Sequence, residues 1–382
     1  MKMMLTTLLL AEFCLVGRCE ISVARGLFET KDIFVAGQDK IREYRIPALV
    51  TTGKGTLIAV CDARVEKPGD AINNIDLAMK RSFDNGRTWE PLKILVDFPG
   101  QQAAADPCML VDRTTGTVWI AYDHVLDKLL PSSLRKRERR EIALHLIYSR
   151  DDGRTWSQAT DITRSVTRPG WEAVMAAPGS GIHTHAGRLI FPAYTRQPHQ
   201  DYSHLLSSDD HGKTWQISAP AAPMVNECQV AELKDGSLML NMRSYRSKGC
   251  RAVATTNDGG KTWSKIIDDT QLTEPKCQAS LIRYTDVRDG FSRNRLLFVN
   301  PANRSRRVNM TVRLSYDEGK TWPISKVIHP GPSAYSCLAV LKDGTIGLLY
   351  ENGRISAYEK LTFARFNLEW LTDGRDRIIK RK

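Results

Sequence analysis

The sequence lacks the short motifs that identify several common enzyme classes. It has no HExxH zinc motif, no phosphate-binding P-loop and no glycine fingerprint of a dinucleotide-binding fold. The five histidines between positions 183 and 211 do not have metal-ligand spacing. Strings such as DNG and DDG resemble the start of calcium loops but lack the later ligands. We therefore expect no metal and no cofactor.

Paired cysteine motifs are also missing, since none of the eight cysteines forms a CxxC pair. Cys14 and Cys19 lie in or just beyond an apolar N-terminal segment. Most of the others are flanked by apolar residues typical of strands, which predicts buried free thiols, with a disulfide as the alternative if the protein is exported. These six are Cys61, Cys108, Cys228, Cys250, Cys277 and Cys337.

The N-terminal apolar run, MKMMLTTLLLAEFCLVG, is interrupted by Glu12 and is too short to span a bilayer. A lysine followed by such a run has the form of a secretory signal. We predict a signal peptide at residues 1–20, a secreted or periplasmic protein, and no integral membrane segment.

Charge is unbalanced, with a formal net charge of +12, but no long basic tail is present. The one dense basic run, Leu134–Arg140, is interpreted as a solvated helix face, so no nucleic-acid partner is expected. A basic surface would still attract anionic substrates.

What the sequence does contain is an eight-residue motif, Ser/Thr-x-Asp-x-Gly-Lys/Arg-Thr-Trp, in five copies. We call each copy a box. The Asp carboxylate can accept backbone N–H bonds across a tight turn, Gly can adopt positive φ, and Trp can bury its ring against neighbouring strands. Five copies indicate a repeat architecture. They are Ser82–Trp89, Ser149–Trp156, Ser208–Trp215, Thr256–Trp263 and Ser315–Trp322.

A strand–turn–strand pattern repeats between the boxes. Five of these hairpins are followed by a third strand that enters a box and by a short fourth strand, which predicts four-stranded antiparallel units. The six hairpins are Ile46–Arg64, Asp106–His124, Gly181–Thr195, Glu227–Ser244, Gln278–Asn300 and Ser336–Glu351.

The sixth unit has no box and ends in Ile355–Leu371. The N-terminal segment around Ile33–Ala36 can supply its outer strand, and pairing the two ends in one sheet would close a ring. The predicted fold is therefore all-β, a six-bladed β-propeller of four-stranded antiparallel blades. A β-sandwich is the alternative, but it does not explain a repeat of about sixty residues.

This topology places the starts of first strands and the ends of second strands at one rim, opposite the boxes. Polar residues accumulate there. Converging arginines can bind a carboxylate, Tyr beside Glu can act as a nucleophile, and a loop Asp can act as general acid and base. The residues are Arg45, Arg64, Asp70, Asp106, Glu227, Arg243, Arg306, Arg307, Tyr335 and Glu351.

The motif Arg45-Ile46-Pro47 together with five boxes resembles the sialidases, or exo-α-neuraminidases, over nearly the whole chain from about Phe34 to Glu351. The resemblance implies a role for each matching residue. Arg45, Arg243 and Arg307 would bind the substrate carboxylate, Arg307 being preferred to Arg306 from the family spacing. Asp70 would be the acid/base, Tyr335 the nucleophile, Glu227 its proton acceptor and Glu351 the residue that orients Arg45. Arg64 and Asp106 would contact the O4 side of the sugar, and Tyr194 its glycerol or N-acetyl group.

The resemblance implies an exo-α-sialidase that releases terminal sialic acid with retention, through a covalent tyrosyl intermediate. Its substrates would be sialylated glycoproteins, glycolipids or oligosaccharides, and residues 21–382 would form one domain, expected to be monomeric. A non-catalytic sialoglycan-binding propeller and a trans-sialidase are the alternatives. The chain departs from the family at Cys337 and Cys228, where Asp and a small polar residue are common; neither change removes a catalytic group.

Overall fold

A computed structural model describes residues 26–126 and 141–381 of the chain. The predicted signal peptide, Cys14, Cys19 and the basic run Leu134–Arg140 lie outside these residues. Regular structure is almost entirely β-strand, with two four-residue α-helices, so the all-β prediction is confirmed. Within the described ranges, no helix is long and apolar enough to cross a membrane.

The strands are β1 (Phe28–Val35), β2 (Glu43–Thr51), β3 (Leu57–Arg64), β4 (Ile75–Ser82), β5 (Lys93–Val96), β6 (Ala103–Val111), β7 (Val118–Leu126), β8 (Glu141–Ser149), β9 (Thr160–Asp161), β10 (Ala173–Ala176), β11 (Gly179–Ser180), β12 (Ile182–His183), β13 (Leu189–Arg196), β14 (Asp201–Ser208), β15 (Gln216–Ile217), β16 (Val225–Glu232), β17 (Leu238–Ser244), β18 (Cys250–Thr256), β19 (Ile267–Thr273), β20 (Ser280–Thr285), β21 (Arg295–Pro301), β22 (Val308–Ser315), β23 (Ile324–Val340), β24 (Ile346–Asn352) and β25 (Lys360–Phe366). The helices are α1 (Thr163–Val166) and α2 (Leu368–Leu371).

Runs of four antiparallel strands recur along the chain, as the repeat predicts. They are β2-β3-β4-β5, β6-β7-β8-β9, β10-β13-β14-β15, β16-β17-β18-β19, β20-β21-β22-β23 and β23-β24-β25-β1. The long strand β23 serves two runs, because its first half pairs with β22 and its second half with β24. A single parallel bridge, Ile75 to Ala103, links the first two runs into one sheet.

The outer strand of the last run comes from the beginning of the chain, as predicted. β1 pairs antiparallel with β25, with Phe28 opposite Phe366 and Val35 opposite Lys360. The strand starts earlier than the predicted segment around Ile33–Ala36. Phe34 is 1% exposed and packs against Tyr44 of β2, so β1 also contacts the neighbouring run.

The third predicted hairpin, Gly181–Thr195, is present as β12 paired with β13, but the first strand of this unit begins earlier than predicted and is irregular. It is broken into β10, β11 and β12, and β11 pairs in parallel with β6 instead of with β13. The Pro178 carbonyl accepts hydrogen bonds from the side-chain amides of Gln229 (3.0 Å) and Gln278 (3.1 Å), which belong to other runs. Gly179 has φ +121°, and a Cβ there would lie about 3 Å from both amides. The segment therefore crosses between sheets and cannot continue as a regular strand.

The five boxes share one hydrogen-bond pattern. In the first, Asp84 accepts bonds from the Ser82 hydroxyl (2.9 Å), the Thr88 N–H (2.9 Å) and the Thr88 hydroxyl (2.6 Å). The Gly86 N–H donates to the Ser82 hydroxyl, and Gly86 has φ +85°. The predicted turn chemistry is thus confirmed. The other boxes repeat these bonds at Asp151, Asp210, Asp258 and Asp317.

Each box also touches another run, which is the last run for the first box and the preceding run for the other four. A Cβ on the box glycine would collide with a side chain of that run, 2.1 Å from Phe363 at Gly86 and 2.2 Å from Trp119 at Gly212. The box residue Asn85 likewise donates to Asp343 of the β23–β24 turn (3.0 Å). Glycine is therefore required both by its positive φ and by close packing between sheets. Apolar clusters fill the remaining space between neighbouring runs.

Candidate active site

One cavity of about 290 Å³ opens at the end of the sheets opposite the boxes. Nine of the ten residues assigned to the site from the sequence line it, namely Arg45, Arg64, Asp70, Asp106, Tyr194, Glu227, Arg243, Arg307 and Tyr335. The tenth, Glu351, is fully buried behind Arg45. Arg306 is exposed and does not line the cavity, in agreement with the choice of Arg307.

The first strands of four runs carry the same β-bulge at the cavity. These strands are β2, β6, β16 and β23. Across each bulge the strand advances by three residues while its pairing partner advances by two. The bulged stretches are Arg45–Ala48, Ala105–Cys108, Val225–Cys228 and Ser333–Ser336. A bulge turns side chains away from the regular alternation of a strand. It thereby aims Arg45, Asp106, Glu227 and Tyr335 at the space between the sheets.

Tyr335, Glu227 and Arg243 form a closed hydrogen-bonded group. The Tyr335 hydroxyl donates to Glu227 Oε1 (2.5 Å), and Arg243 Nη1 donates both to Glu227 Oε2 (2.7 Å) and to the Tyr335 oxygen (2.9 Å). Burial, and then the Glu227 charge, raise the pKa of Tyr335 well above its usual value. The phenol is therefore neutral near pH 7 and has a carboxylate in place to accept its proton.

The three predicted carboxylate-binding arginines surround this tyrosine. The guanidinium carbons of Arg45 and Arg307 lie 5.3 and 5.4 Å from the Tyr335 ring centroid, and Arg243 bonds its hydroxyl. Arg45 Nε donates to Glu351 Oε1 (2.6 Å). Glu351 also accepts the backbone N–H groups of Ile46 (2.8 Å) and Tyr335 (3.0 Å). One buried carboxylate thus ties Arg45 to the strand that carries Tyr335.

Asp70 lies in the loop after β3 and differs from the other acids of the cavity in its exposure. Its side chain is 78% exposed, and its Oδ1 accepts a bond from Arg64 Nη2 (2.8 Å). Arg64 itself is buried and also donates to Glu43 (3.2 Å). An exposed carboxyl at the mouth, held by a buried arginine, is accessible to a leaving group and to solvent.

Asp106 is half-buried and lies in a cluster of acids with the buried residues Asp62 and Asp123. The Asp106 N–H donates to Asp62 Oδ1 (3.0 Å), and the Ala176 N–H donates to Asp123 Oδ1 (3.0 Å). Burial and neighbouring carboxylates raise the pKa of Asp106 to about 7. The same causes raise the pKa values of Asp62 and Asp123 well above the usual range.

Tyr194, on β13, lines the cavity and is buried. Burial, followed by the charges of Asp106 and Asp123, raises its pKa. It therefore faces the acid cluster.

Sequence reasoning missed several residues that lie at or beside the cavity. Asp62 and Asp123 line the cavity at equivalent places in two second strands, and Tyr245 follows β17. Tyr358 lies beside Arg45 and Arg307. Asp62 and Asp123 could have been found from the sequence, because each is a charged residue inside a mostly apolar predicted strand. Nothing comparable in the sequence distinguishes Tyr245 or Tyr358.

No group of three or more His, Cys, Asp or Glu side chains in the described ranges is arranged to hold a metal ion. The six cysteines of these ranges are buried and free, as the sequence predicted. Cys228 and Cys337 are both fully buried, and the Cys337 sulfur accepts the Leu49 N–H at 3.2 Å. They therefore pack behind the site without entering it.

Comparisons with known proteins agree with this arrangement. Residues 55–348 match the family described as BNR repeat-like domain. The sialidase of Bacteroides fragilis (strain YCH46) is 37% identical over 354 residues, which cover 87% of this chain and 64% of the relative. The sialidase of Micromonospora viridifaciens is 38% identical over 365 residues, covering 90% and 54%.

Among solved structures, the Hadza microbial sialidase Hz136 superimposes with a TM-score of 0.82 at 36% identity, covering 90% of this chain and 69% of that one. The chain spans less than two thirds of the length of the two bacterial relatives. The family match covers most of the chain, and residues 55–348 include the five boxes. The chain therefore belongs to the sialidase family with BNR repeats.

Proposed function

We propose that the protein is an exo-α-sialidase that hydrolyses terminal sialic acid from glycoproteins, glycolipids or oligosaccharides. The observation that carries the proposal is the contact between Tyr335 and Glu227 at 2.5 Å, with three arginines around the same phenol. An anionic sugar with a carboxylate on its anomeric carbon fits this arrangement, because the arginines can bind the carboxylate next to the nucleophile.

In the first step, the Tyr335 oxygen attacks the anomeric carbon while Glu227 takes the phenolic proton. The bond to the leaving oxygen breaks, and Asp70 donates a proton to that oxygen. Arg243, which bonds both Tyr335 and Glu227, stabilises the negative charge that develops on the phenol oxygen.

In the second step, Asp70 takes a proton from water, and the water oxygen attacks the anomeric carbon. The bond to Tyr335 breaks, and the phenolate regains its proton from Glu227. Two displacements at one carbon return the original anomeric configuration. A phenol suits this role better than a carboxylate, because a neutral oxygen approaches an anionic sugar without charge repulsion.

The test compares release of a fluorogenic aryl α-sialoside by the wild type, Tyr335→Phe and Glu227→Gln. We expect hydrolysis by the wild type and a loss of kcat on the order of 10³-fold or more in Tyr335→Phe. In Glu227→Gln the loss should be about 10²- to 10⁴-fold, as for removal of a general base. Absence of hydrolysis by pure wild-type protein would overturn the enzyme proposal.

Product analysis separates the alternatives. NMR of the first-formed sialic acid should show the α-anomer, and an initial β-anomer would exclude the tyrosyl intermediate. Addition of lactose as an acceptor tests for transfer, since a trans-sialidase forms sialyllactose at the expense of free sialic acid. Binding of sialosides without turnover would instead support a non-catalytic sialoglycan-binding protein.

For the fold we propose a closed six-bladed β-propeller. Support comes from packing of β2 against both β6 and β23, and from the contact of the first box with Phe363 of the last run. We further propose that the protein is a secreted or periplasmic monomer with a signal peptide at residues 1–20. N-terminal sequencing of exported protein and light scattering test these statements.

A further inference from the structure

Tyr358 contacts two of the three arginines that surround Tyr335, although sequence reasoning assigned it no role. It is half-buried in the loop 353–359, which joins β24 to β25 beside the cavity. The guanidinium carbon of Arg45 lies 4.0 Å from the centroid of its ring, close enough for a cation–π contact. Arg307 Nη1 donates a hydrogen bond to its hydroxyl oxygen at 3.0 Å.

These contacts restrict both arginines. Arg45 is tied through Nε to Glu351 and has tyrosine rings as neighbours, Tyr358 at 4.0 Å and Tyr335 at 5.3 Å. Arg307 is held through Nη1 by Tyr358 and through Nη2 by the Lys276 carbonyl (3.3 Å). A free arginine side chain loses substantial conformational entropy when it binds a ligand. Holding both guanidinium groups in place before binding reduces that loss.

The loop that carries Tyr358 is itself braced. The Glu359 carboxylate accepts the backbone N–H groups of Arg354 (3.0 Å), Ile355 (2.7 Å) and Ser356 (2.9 Å). These bonds lower the pKa of Glu359 to about 2, so the carboxylate is ionised at neutral pH. A Cβ on Gly353 would lie 2.1 Å from the Ser356 carbonyl oxygen, which shows how tightly the loop is folded. Ala357 anchors it against the cluster that contains Tyr335.

We propose that Tyr358 is a positioning residue of the substrate-carboxylate site, its ring orienting Arg45 and its hydroxyl orienting Arg307. The inference rests on the proposed function, because it takes the carboxylate of sialic acid as the ligand of these arginines. It predicts that Tyr358 affects recognition of the carboxylate group and does not affect recognition of the rest of the sugar.

The experiment compares two inhibitors of aryl sialoside hydrolysis, sialic acid and its carboxamide analogue, in the wild type, Tyr358→Phe and Tyr358→Ala. In Tyr358→Phe, which keeps the ring but not the hydroxyl, the inhibition constant of the acid should rise about threefold. In Tyr358→Ala it should rise about tenfold or more, since the cation–π contact is also lost. The inhibition constant of the carboxamide should change less than about twofold in both.

Tyr316 provides a matched control. Its ring lies 5.8 Å from the guanidinium carbon of Arg293 and its hydroxyl donates to Asp376 (2.8 Å), but it belongs to the fifth box at the opposite end of the sheets. Tyr316→Phe should leave both inhibition constants unchanged. Thermal denaturation checks that each variant is folded. If Tyr358→Ala does not fold, the inhibition constants of Tyr358→Phe decide the outcome.

Equal weakening of acid and carboxamide, or no weakening of the acid, would overturn the role of Tyr358. Failure of the proposed function gives a different result, since wild-type protein would then release no sialic acid. In that case calorimetric titration measures the association constants of sialic acid and of its carboxamide directly. The inference is supported if the ratio of the acid's association constant to that of the carboxamide falls in the Tyr358 variants, and an unchanged ratio contradicts it.

Discussion

At the scale of single residues, the site places aspartates of the same chemistry in contrasting surroundings. Asp70 is 78% exposed beside Arg64, whereas Asp62 is 1% exposed within a cluster of acids. Exposure allows a carboxyl to exchange protons with solvent and substrate, while burial favours its protonated form. The acids of the cavity can therefore perform different tasks.

The exposed acid leads to the first prediction, which concerns the leaving group. Asp70→Ala should slow cleavage of sialyllactose by about 10²- to 10⁴-fold, because a sugar alkoxide needs a proton to leave. Formation of the intermediate from an aryl sialoside, whose phenolate leaves unaided, should slow less than about tenfold. Burst kinetics with both substrates measure this difference. Equal losses for the two substrates would contradict a general-acid role.

The buried acids lead to a prediction about stability and pH. A carboxyl whose pKa is higher in the folded protein than in the unfolded chain stabilises the fold at low pH, and this contribution is lost as pH rises through the folded pKa. Since that pKa is about 7 for Asp106, and is also raised for Asp62 and Asp123, the melting temperature should fall between pH 5 and pH 8.

The Asp123→Asn variant tests the cause of that decline. It removes one titrating group of the cluster, so the fall in melting temperature between pH 5 and pH 8 should be smaller than in the wild type. Asp32→Asn, on the partly exposed strand β1, serves as the control and should keep the wild-type slope. The explanation fails if Asp123→Asn also keeps that slope.

Most of the site could be predicted because its residues occupy fixed places in a repeat. Asp106 and Glu227 begin hairpins, and Arg243 ends one, so topology alone placed them at one rim. Tyr358 was not predictable in this way, because its role comes from a folded loop that reaches Arg45 and Arg307.

At the scale of elements, the bulges and the boxes have different roles at opposite ends of the strands. A bulge re-aims the residues on the first strands of four runs, at a cost in regular pairing. In β2 it leaves the β-branched Ile46 at φ +58°, a conformation that costs on the order of 1–3 kcal/mol. The boxes, at the other ends of the strands, hold neighbouring sheets together.

This division predicts that a box can be weakened without loss of activity. Asp84→Ala removes the acceptor of three hydrogen bonds and should lower stability by about 1–2 kcal/mol. Both kcat and KM should stay within about twofold of the wild type, because a change of 0.4 kcal/mol or less is expected at a distant site. Denaturant unfolding and steady-state kinetics measure the two effects.

Arg87→Ala, at an exposed position of the same box, is the matched control and should change neither stability nor kinetics. A large fall in kcat with Asp84→Ala would show that the two ends of the sheet are coupled. The sequence predicted the box chemistry because every bond in it is local. It did not predict the broken first strand of the third unit, which depends on contacts with Gln229 and Gln278.

At the scale of the whole molecule, the all-β class and the pairing of β1 with β25 were predictable from the count of hairpins and boxes. Closure of the sheets into a ring remains a proposal. Packing across the junction is dense, since one apolar cluster contains Phe34 of β1, Tyr44 of β2 and Phe363 of β25.

Phe34 provides a prediction for this junction. Phe34→Ala should lower stability by about 3–5 kcal/mol, because it removes a fully buried ring from between two runs of strands. Phe83→Ala removes a ring that is 59% exposed and should cost less than about 0.5 kcal/mol. Equal unfolding midpoints for the two variants would contradict the structural role of β1.

The same pairing has a consequence for synthesis of the protein. Asp32 accepts a hydrogen bond from the hydroxyl of Thr362, a residue 330 positions later in the chain. On the ribosome, β1 is made among the first strands and its partner among the last, so the final sheet can form only after β25 has emerged. Until then Ile33 and Phe34 lack Leu361 and Phe363 of β25, which share their apolar cluster in the folded protein.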